Sequence, residues 1–202
     1  MLGLFLFSIA IVLILESKLG LSPWDVLNQG LAKHSVLSFG MANVAIGLTV
    51  LLVAWLLGGT PGIGTLANAV LVGSFIQLLT WIPAVSDLAD DGLAARIVCL
   101  AAGIALIGPA SALYIGADLG AGPRDTLMLV GARRTGVRVA GVRAVLEICA
   151  LAAGIALGGT FGVGTVAFAL LVGPVVEGSF VIFSRSPFVL DDPVSSPAVI
   201  GE

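Results

Sequence analysis

Long apolar runs alternate with two kinds of break along this chain. A bilayer core about 30 Å thick takes roughly 20 mostly apolar helical residues, and six runs approach that length: Leu2–Leu15, Phe39–Leu57, Ile63–Ile82, Ile97–Ile115, Val139–Leu157 and Val163–Phe183. The first is short, so either it starts at the very edge of the membrane or the true start lies upstream of Met1. It has no basic lead-in, and no small-residue cleavage site precedes Glu16, so a first membrane helix is expected rather than a signal peptide. One kind of break is a tight glycine turn, "GGTPG" at Gly58–Gly62 and "GGTFG" at Gly158–Gly162; the other is a short polar piece, Ser22–Ser35 and Gly122–Thr135. The acidic stretch Pro83–Gly92 is unrepeated, and the tail from Ser184, rich in Pro, Ser and Asp, is expected to be mobile.

The breaks recur because the chain is duplicated. Shifted by 100 positions, the second half lies on the first without a gap. Leu19, Gly20, Pro23, Asp25 and Leu27 match Leu119, Gly120, Pro123, Asp125 and Leu127. "LGGTPGIGT" from Leu57 matches "LGGTFGVGT" from Leu157, differing only at Pro61/Phe161 and Ile63/Val163. Chance Leu and Ala matches are common in apolar sequence; a shared glycine turn is not. The predicted organisation is repeat 1 over 1–82, a linker over 83–96, repeat 2 over 97–183 and a flexible tail over 184–202.

The predicted fold is an all-α membrane protein of six transmembrane helices in two three-helix repeats. An odd number of crossings makes the second copy enter from the opposite face, so the repeats are expected to be inverted. Arg124, Arg133, Arg134 and Arg138 crowd one connector, while the connector before span four carries Asp87, Asp90 and Asp91. Basic residues favour the cytoplasmic side, which places both termini inside.

Each short piece starts as a helix. Ser22 suits the cap, Pro23 the first helical position, and Asp25 a capping-box-like role, with Trp24, Leu27 and Leu31 as one apolar stripe. In the second copy Gly122 replaces the Ser, Arg124 replaces the Trp, and Pro123 and Asp125 remain. Two placements stay open. These could be re-entrant half-helices aimed at a midplane ligand, or surface helices with Trp24 as an interfacial anchor.

Composition fixes the class. The chain is 58% hydrophobic and 10% charged, against roughly 25% charged in soluble domains. No basic block is large enough for nucleic acid. Ionisable residues inside apolar runs therefore stand out. Arg143 and Glu147 share a helical face in span five, and Glu177 follows Gly173-Pro174 in span six, a pair expected to loosen that helix. Their repeat partners are Asn43, Gly47 and Gln77, and Asn68 adds a polar group in span three. Asn43, Gln77, Arg143, Glu147 and Glu177 are the candidate substrate-binding set, converging on a polar cavity between the repeats. The bland alternative is a bracing Arg143–Glu147 pair.

Cys99 and Cys149 lie in apolar runs and are expected to be buried packing residues; His34 is the sole histidine. No metal site, cofactor or catalytic residue is expected. "DLADDGLAAR" from Asp87 has the Asp91, Gly92, Ala95 and Arg96 of a CDP-alcohol phosphotransferase start, but its first Asp is one position off and residues 97–115 hold no carboxylate for magnesium. The glycine turns, including Gly59, Gly62, Gly64, Gly159, Gly162 and Gly164, lack the Gly-Lys-Ser/Thr of a phosphate loop.

The Leu19–Leu27 stretch together with "GTPGIGT", Gly59–Thr65, resembles the YczE/YyaS/YitT family of bacterial membrane proteins. The resemblance covers nearly the whole chain before the tail and implies a bacterial inner-membrane protein, without established catalytic residues. Expected partners are the lipid bilayer, an unidentified small molecule, and a second copy or another membrane protein. The small residues of "GPASALYIG", Gly108–Gly116, could pack helices within or between chains. A small-molecule or anion transporter is the leading expectation. The competitors are a non-transporting scaffold or regulator and the substrate-binding subunit of a larger importer.

Overall fold

The computed structural model describes residues 1–86, 92–117 and 119–184. Among these the chain is helical, without strands: α1 Leu2–Ser17, α2 Pro23–Lys33, α3 Phe39–Leu56, α4 Ile63–Thr80, a single turn α5 Pro83–Ser86, α6 Leu93–Ile115, α7 Pro123–Thr135, α8 Val139–Ala156 and α9 Val163–Ser184. Five of them, α3, α4, α6, α8 and α9, are long and apolar enough to cross a membrane, while α1 is shorter at 16 residues. The expected α6 start at Ile97 moves back to Leu93, and α9 runs on through Pro174. Residues 87–91 of the acidic linker, with Asp87, Asp90 and Asp91, and all of the tail beyond Ser184 lie outside the described residues.

The core is the α1–α6 pair. Glycines let the two backbones meet: a Cβ on Gly3 would press on Ala110 O and Tyr114 N, and one on Gly103 would press on Ala10 O and Ile14 N. The two contacts are the same contact, shifted by one repeat. Ala10, Ile14, Leu100, Ile104 and Ile107 form the apolar centre with Leu21 and Val26 from the start of the second element. Helix α4 packs on α1 through Val72 and Ile76, and α9 packs on α6, where Gly108 receives Val175 and Ser179. The small residues of span four thus serve packing within the chain.

The short helices cross between the copies. Helix α2 lies chiefly against α8, and α7 chiefly against α3. The glycine turns make this possible. Gly64 N donates to Leu119 O at 2.8 Å, and Gly164 N donates to Leu19 O at 2.8 Å. A Cβ on Gly62 or Gly162 would strike the same Leu119 and Leu19 carbonyls. At the far end Lys33 Nζ donates to Gly158 O at 2.6 Å, and Arg134 Nε donates to Leu57 O at 2.8 Å. Each glycine turn therefore clasps the short helix of the other copy.

The outer surface is apolar. Leu52, Trp55, Val145, Ile148, Leu170 and Ile182 are all exposed. In water such a surface would drive aggregation; against lipid it is the expected solvent face. Cys99 is buried, as its setting suggested, but Cys149 is exposed. An apolar run marks a residue for burial in a soluble protein, whereas here it equally marks a residue that faces lipid.

Candidate functional site

Between the long helices lies a cavity of about 200 Å³. Both copies build it at equivalent positions. Ser22, Pro23 and Trp24 face it from the start of α2, and Gly122, Pro123, Arg124 and Asp125 from the start of α7. Asn43 and Gly47 on α3 answer Arg143 and Glu147 on α8; Val72 on α4 answers Val172 on α9; Phe7 and Ile11 on α1 answer Ile107 and Ser111 on α6. The Arg124 guanidinium stacks over the Trp24 ring, 5.0 Å from its centroid. These two residues are themselves repeat equivalents, so the cavity sits where the copies meet.

The two helix starts differ in chemistry. At α2 the expected cap forms: Asp25 N donates to Ser22 Oγ at 3.2 Å. The Asp25 carboxylate does not reach back to the backbone N–H of Ser22. It accepts instead from the Ser22 hydroxyl at 2.5 Å and from Asn28 Nδ2 at 3.1 Å, and it is buried in that network. At α7 there is no side-chain cap, because Gly122 has none to give. Asp125 lines the cavity, where its carboxylate accepts from the Gly122 backbone N–H and from the Tyr114 hydroxyl. Burial pushes the Asp125 carboxyl above the usual carboxylate range, and the charges of Arg143 and Arg124 pull the other way.

On α8, Arg143 Nε and Glu147 Oε1 form an ion pair at 2.9 Å. The bracing pair anticipated from their spacing is thus present, and both residues also line the cavity. Asn43 lines it as well and is buried. The other two residues of the candidate set are elsewhere. Gln77 accepts from the Ser38 hydroxyl and ties the start of α3 to α4, and Glu177 is exposed on α9. Gly59, Gly62, Gly64, Gly159, Gly162 and Gly164 belong to the interlocked turns, where Cβ atoms would strike neighbouring backbone.

Three cavity residues carry more weight than the sequence suggested. The sequence marks Asp125 only as a cap-like residue and gives Tyr114 and Ser111 no functional role. The signals were small: the loss of the Ser cap between Ser22 and Gly122, and the chain's single tyrosine inside an apolar span. Among the described residues no cluster of His, Cys, Asp and Glu could hold a metal.

The pattern of the family of unknown function DUF6198 matches residues 1–179. The uncharacterized membrane protein YczE of Bacillus subtilis is 37% identical over 180 residues, covering 88% of this chain and 81% of that protein. An uncharacterized protein of Haemophilus influenzae is 38% identical over 177 residues, covering 88% and 79%. The uncharacterized protein YyaS of Bacillus subtilis is 29% identical over 192 residues, covering 91% and 94%. No solved structure matches.

Proposed function

The chain belongs to DUF6198, a family with relatives among bacterial membrane proteins, and from that premise we propose that it is a transporter or permease for a small molecule in the inner membrane. In this reading α1 is a sixth span, the two copies are inverted about an axis in the membrane plane, and both termini are cytoplasmic. The observation that carries it is the shared cavity: equivalent residues of the two copies line one site among the apolar helices. The reciprocal Gly64–Leu119 and Gly164–Leu19 bonds support a two-fold relation. A site between inverted repeats suits alternating access, because rocking one copy against the other exposes it to each side in turn. Arg124 and Arg143 would hold a negative group of the substrate, and Asp125 would take up and release a coupling proton.

The test is ligand-induced thermal stabilisation of purified protein across a panel of small metabolites and anions. A compound at 100 times its Kd should stabilise by about 2.7 kcal/mol. Arg143→Gln and Glu147→Gln should abolish the shift, and Glu177→Gln should leave it intact. A hit should then accumulate in proteoliposomes. A panel with no hit, on protein that melts cooperatively, would sink the transport reading.

A second reading draws on Glu177. A carboxylate on an exposed, otherwise apolar helix face is costly against lipid and suits contact with a membrane partner. A scaffold, a regulator or the substrate-binding subunit of a larger importer would use that face. Under it, Glu177→Gln should weaken recovery of a partner from native membranes, while Glu147→Gln should not.

A further inference from the structure

We propose that the molecule bound in the cavity is an amphiphile with a compact zwitterionic head, which enters sideways from the bilayer between α8 and α9; this rests on the reading of the cavity as a substrate site. The route follows from a difference between the copies. Helices α3 and α4 close on each other where a Cβ on Gly40 would strike Gly73 O and one on Gly73 would strike Gly40 O. Their equivalents are Ala140 and Gly173. A Cβ on Gly173 would meet nothing within 4 Å, and α8 and α9 share no packed interface among the described residues. The cavity therefore has a gap in its wall on that side.

The lips of the gap are unlike. Beside it Arg143 and Glu147 line the cavity from α8, and Phe168, Val172 and Val176 line it from α9, with Glu177 exposed one turn beyond Gly173. The Arg143 side chain is 54% exposed although it lines the cavity, so it is reachable from outside. At about 200 Å³ the cavity falls below the roughly 300–1,000 Å³ of sites that enclose a drug-sized ligand. It holds a polar head, and an attached apolar chain would leave along α9 toward the lipid. Two guanidiniums, Arg124 and Arg143, and two carboxyl groups, Asp125 and Glu147, line the cavity, with Arg143 and Glu147 as an ion pair. A lone anion would meet both carboxyl groups and a lone cation both guanidiniums, whereas a zwitterion pairs with each kind.

The test uses Trp24, which lines the cavity, as its reporter. Trp55→Phe and Trp81→Phe remove the other two tryptophans, both exposed. This protein, moved from detergent into an amphipathic polymer, is titrated with decylphosphocholine below its micelle concentration and with phosphocholine. The expected result is a saturable change in Trp24 fluorescence, with a midpoint at least tenfold lower for decylphosphocholine. Gly173→Leu, which fills the gap without a clash, should raise the decylphosphocholine midpoint at least tenfold and leave that of phosphocholine unchanged. Equal midpoints with no effect of Gly173→Leu would overturn the lateral route and keep the cavity as a site. Equally tight binding of decyl sulfate would overturn the zwitterionic head. No saturable change with either phosphocholine compound would overturn the proposal, and the metabolite panel would then decide whether the cavity binds anything.

Discussion

Helices α3 and α4 hold each other through a pair of glycines, and their equivalents α8 and α9 stand apart. At this contact Gly40, Val44 and Gln77 of the first copy become Ala140, Ala144 and Glu177 in the second, while Gly73 stays as Gly173. The charged residues follow the same division. Asn43 and Gly47 face the cavity from the closed copy, and Arg143 and Glu147 from the open one. One repeat has kept the packing and the other has taken on the polar chemistry. Duplication permits this, because a fold built twice keeps its interlocked turns while one wall diverges.

The sharpest way to break this comparison is to put the same side chain at both glycines. Gly73→Leu forces a branched side chain against Gly40 O and Val44. Overpacking of this kind costs ~1–3 kcal/mol, occasionally more, and the absence of slack at a backbone contact points to the upper end. Gly173→Leu enters open space and should stay within about 0.5 kcal/mol of wild type. Thermal unfolding in one detergent checks both. Equal melting of the two variants would mean that α3 and α4 are not closed as described.

Much of this architecture was legible before any coordinates. The duplication gave the equivalent elements, and the Ser22-Pro23 pair gave a helix start that forms as expected. What pattern could not give was direction. Helices such as α3, α4 and α9 are apolar around their whole circumference, so no stripe says which face turns inward. Glu177 and Glu147 looked alike for that reason; one is exposed on α9, and the other lines the cavity. The crossing of α2 onto α8 and α7 onto α3 was equally hidden, because it depends on backbone approaches at Gly62 and Gly162. In sequence these looked like ordinary turn glycines.

Those turns offer the next test, which sharpens the comparison by asking where the copies remain alike. Gly64→Ala would crowd Leu119 O, and Gly164→Ala would crowd Gly20 O and Leu19 C. Each should cost about 1–3 kcal/mol, and the two costs should match. Chemical or thermal denaturation of the single variants suffices. A large cost at one turn and none at the other would contradict the reciprocal clasp.

Asp125 should reveal itself through pH. Burial raises its carboxyl in the folded protein, so the folded state binds this proton more readily than the unfolded chain. The resulting stability is present at low pH, below the unfolded value, and is lost as pH rises through the folded one. Wild-type protein should gain stability on acidification from neutral pH over that window. Asp125→Asn cannot titrate and should lose this gain, a difference that melting temperatures across a pH series would resolve. Parallel pH profiles would show that the carboxyl is not held in the cavity environment described.

The smallest effect is the most specific. Gly122→Ser would restore at α7 the cap that Ser22 gives α2. The backbone there, at φ -58° and ψ 162°, accepts a side chain, and the new Cβ would stand 3.2 Å from Asp125 Oδ2. Replacing Gly by Ser at a cap contributes only a few tenths of a kcal/mol. The larger consequence is on Asp125. A hydroxyl donating to its carboxylate, as Ser22 does to Asp25, favours the charged form and lowers its pKa. The stability lost with rising pH should then be lost at lower pH than in wild type, and Trp24 fluorescence titrations should show weaker ligand binding because a further donor then competes for the carboxyl. An unshifted pH profile with normal folding would mean that the new hydroxyl does not reach the Asp125 carboxyl.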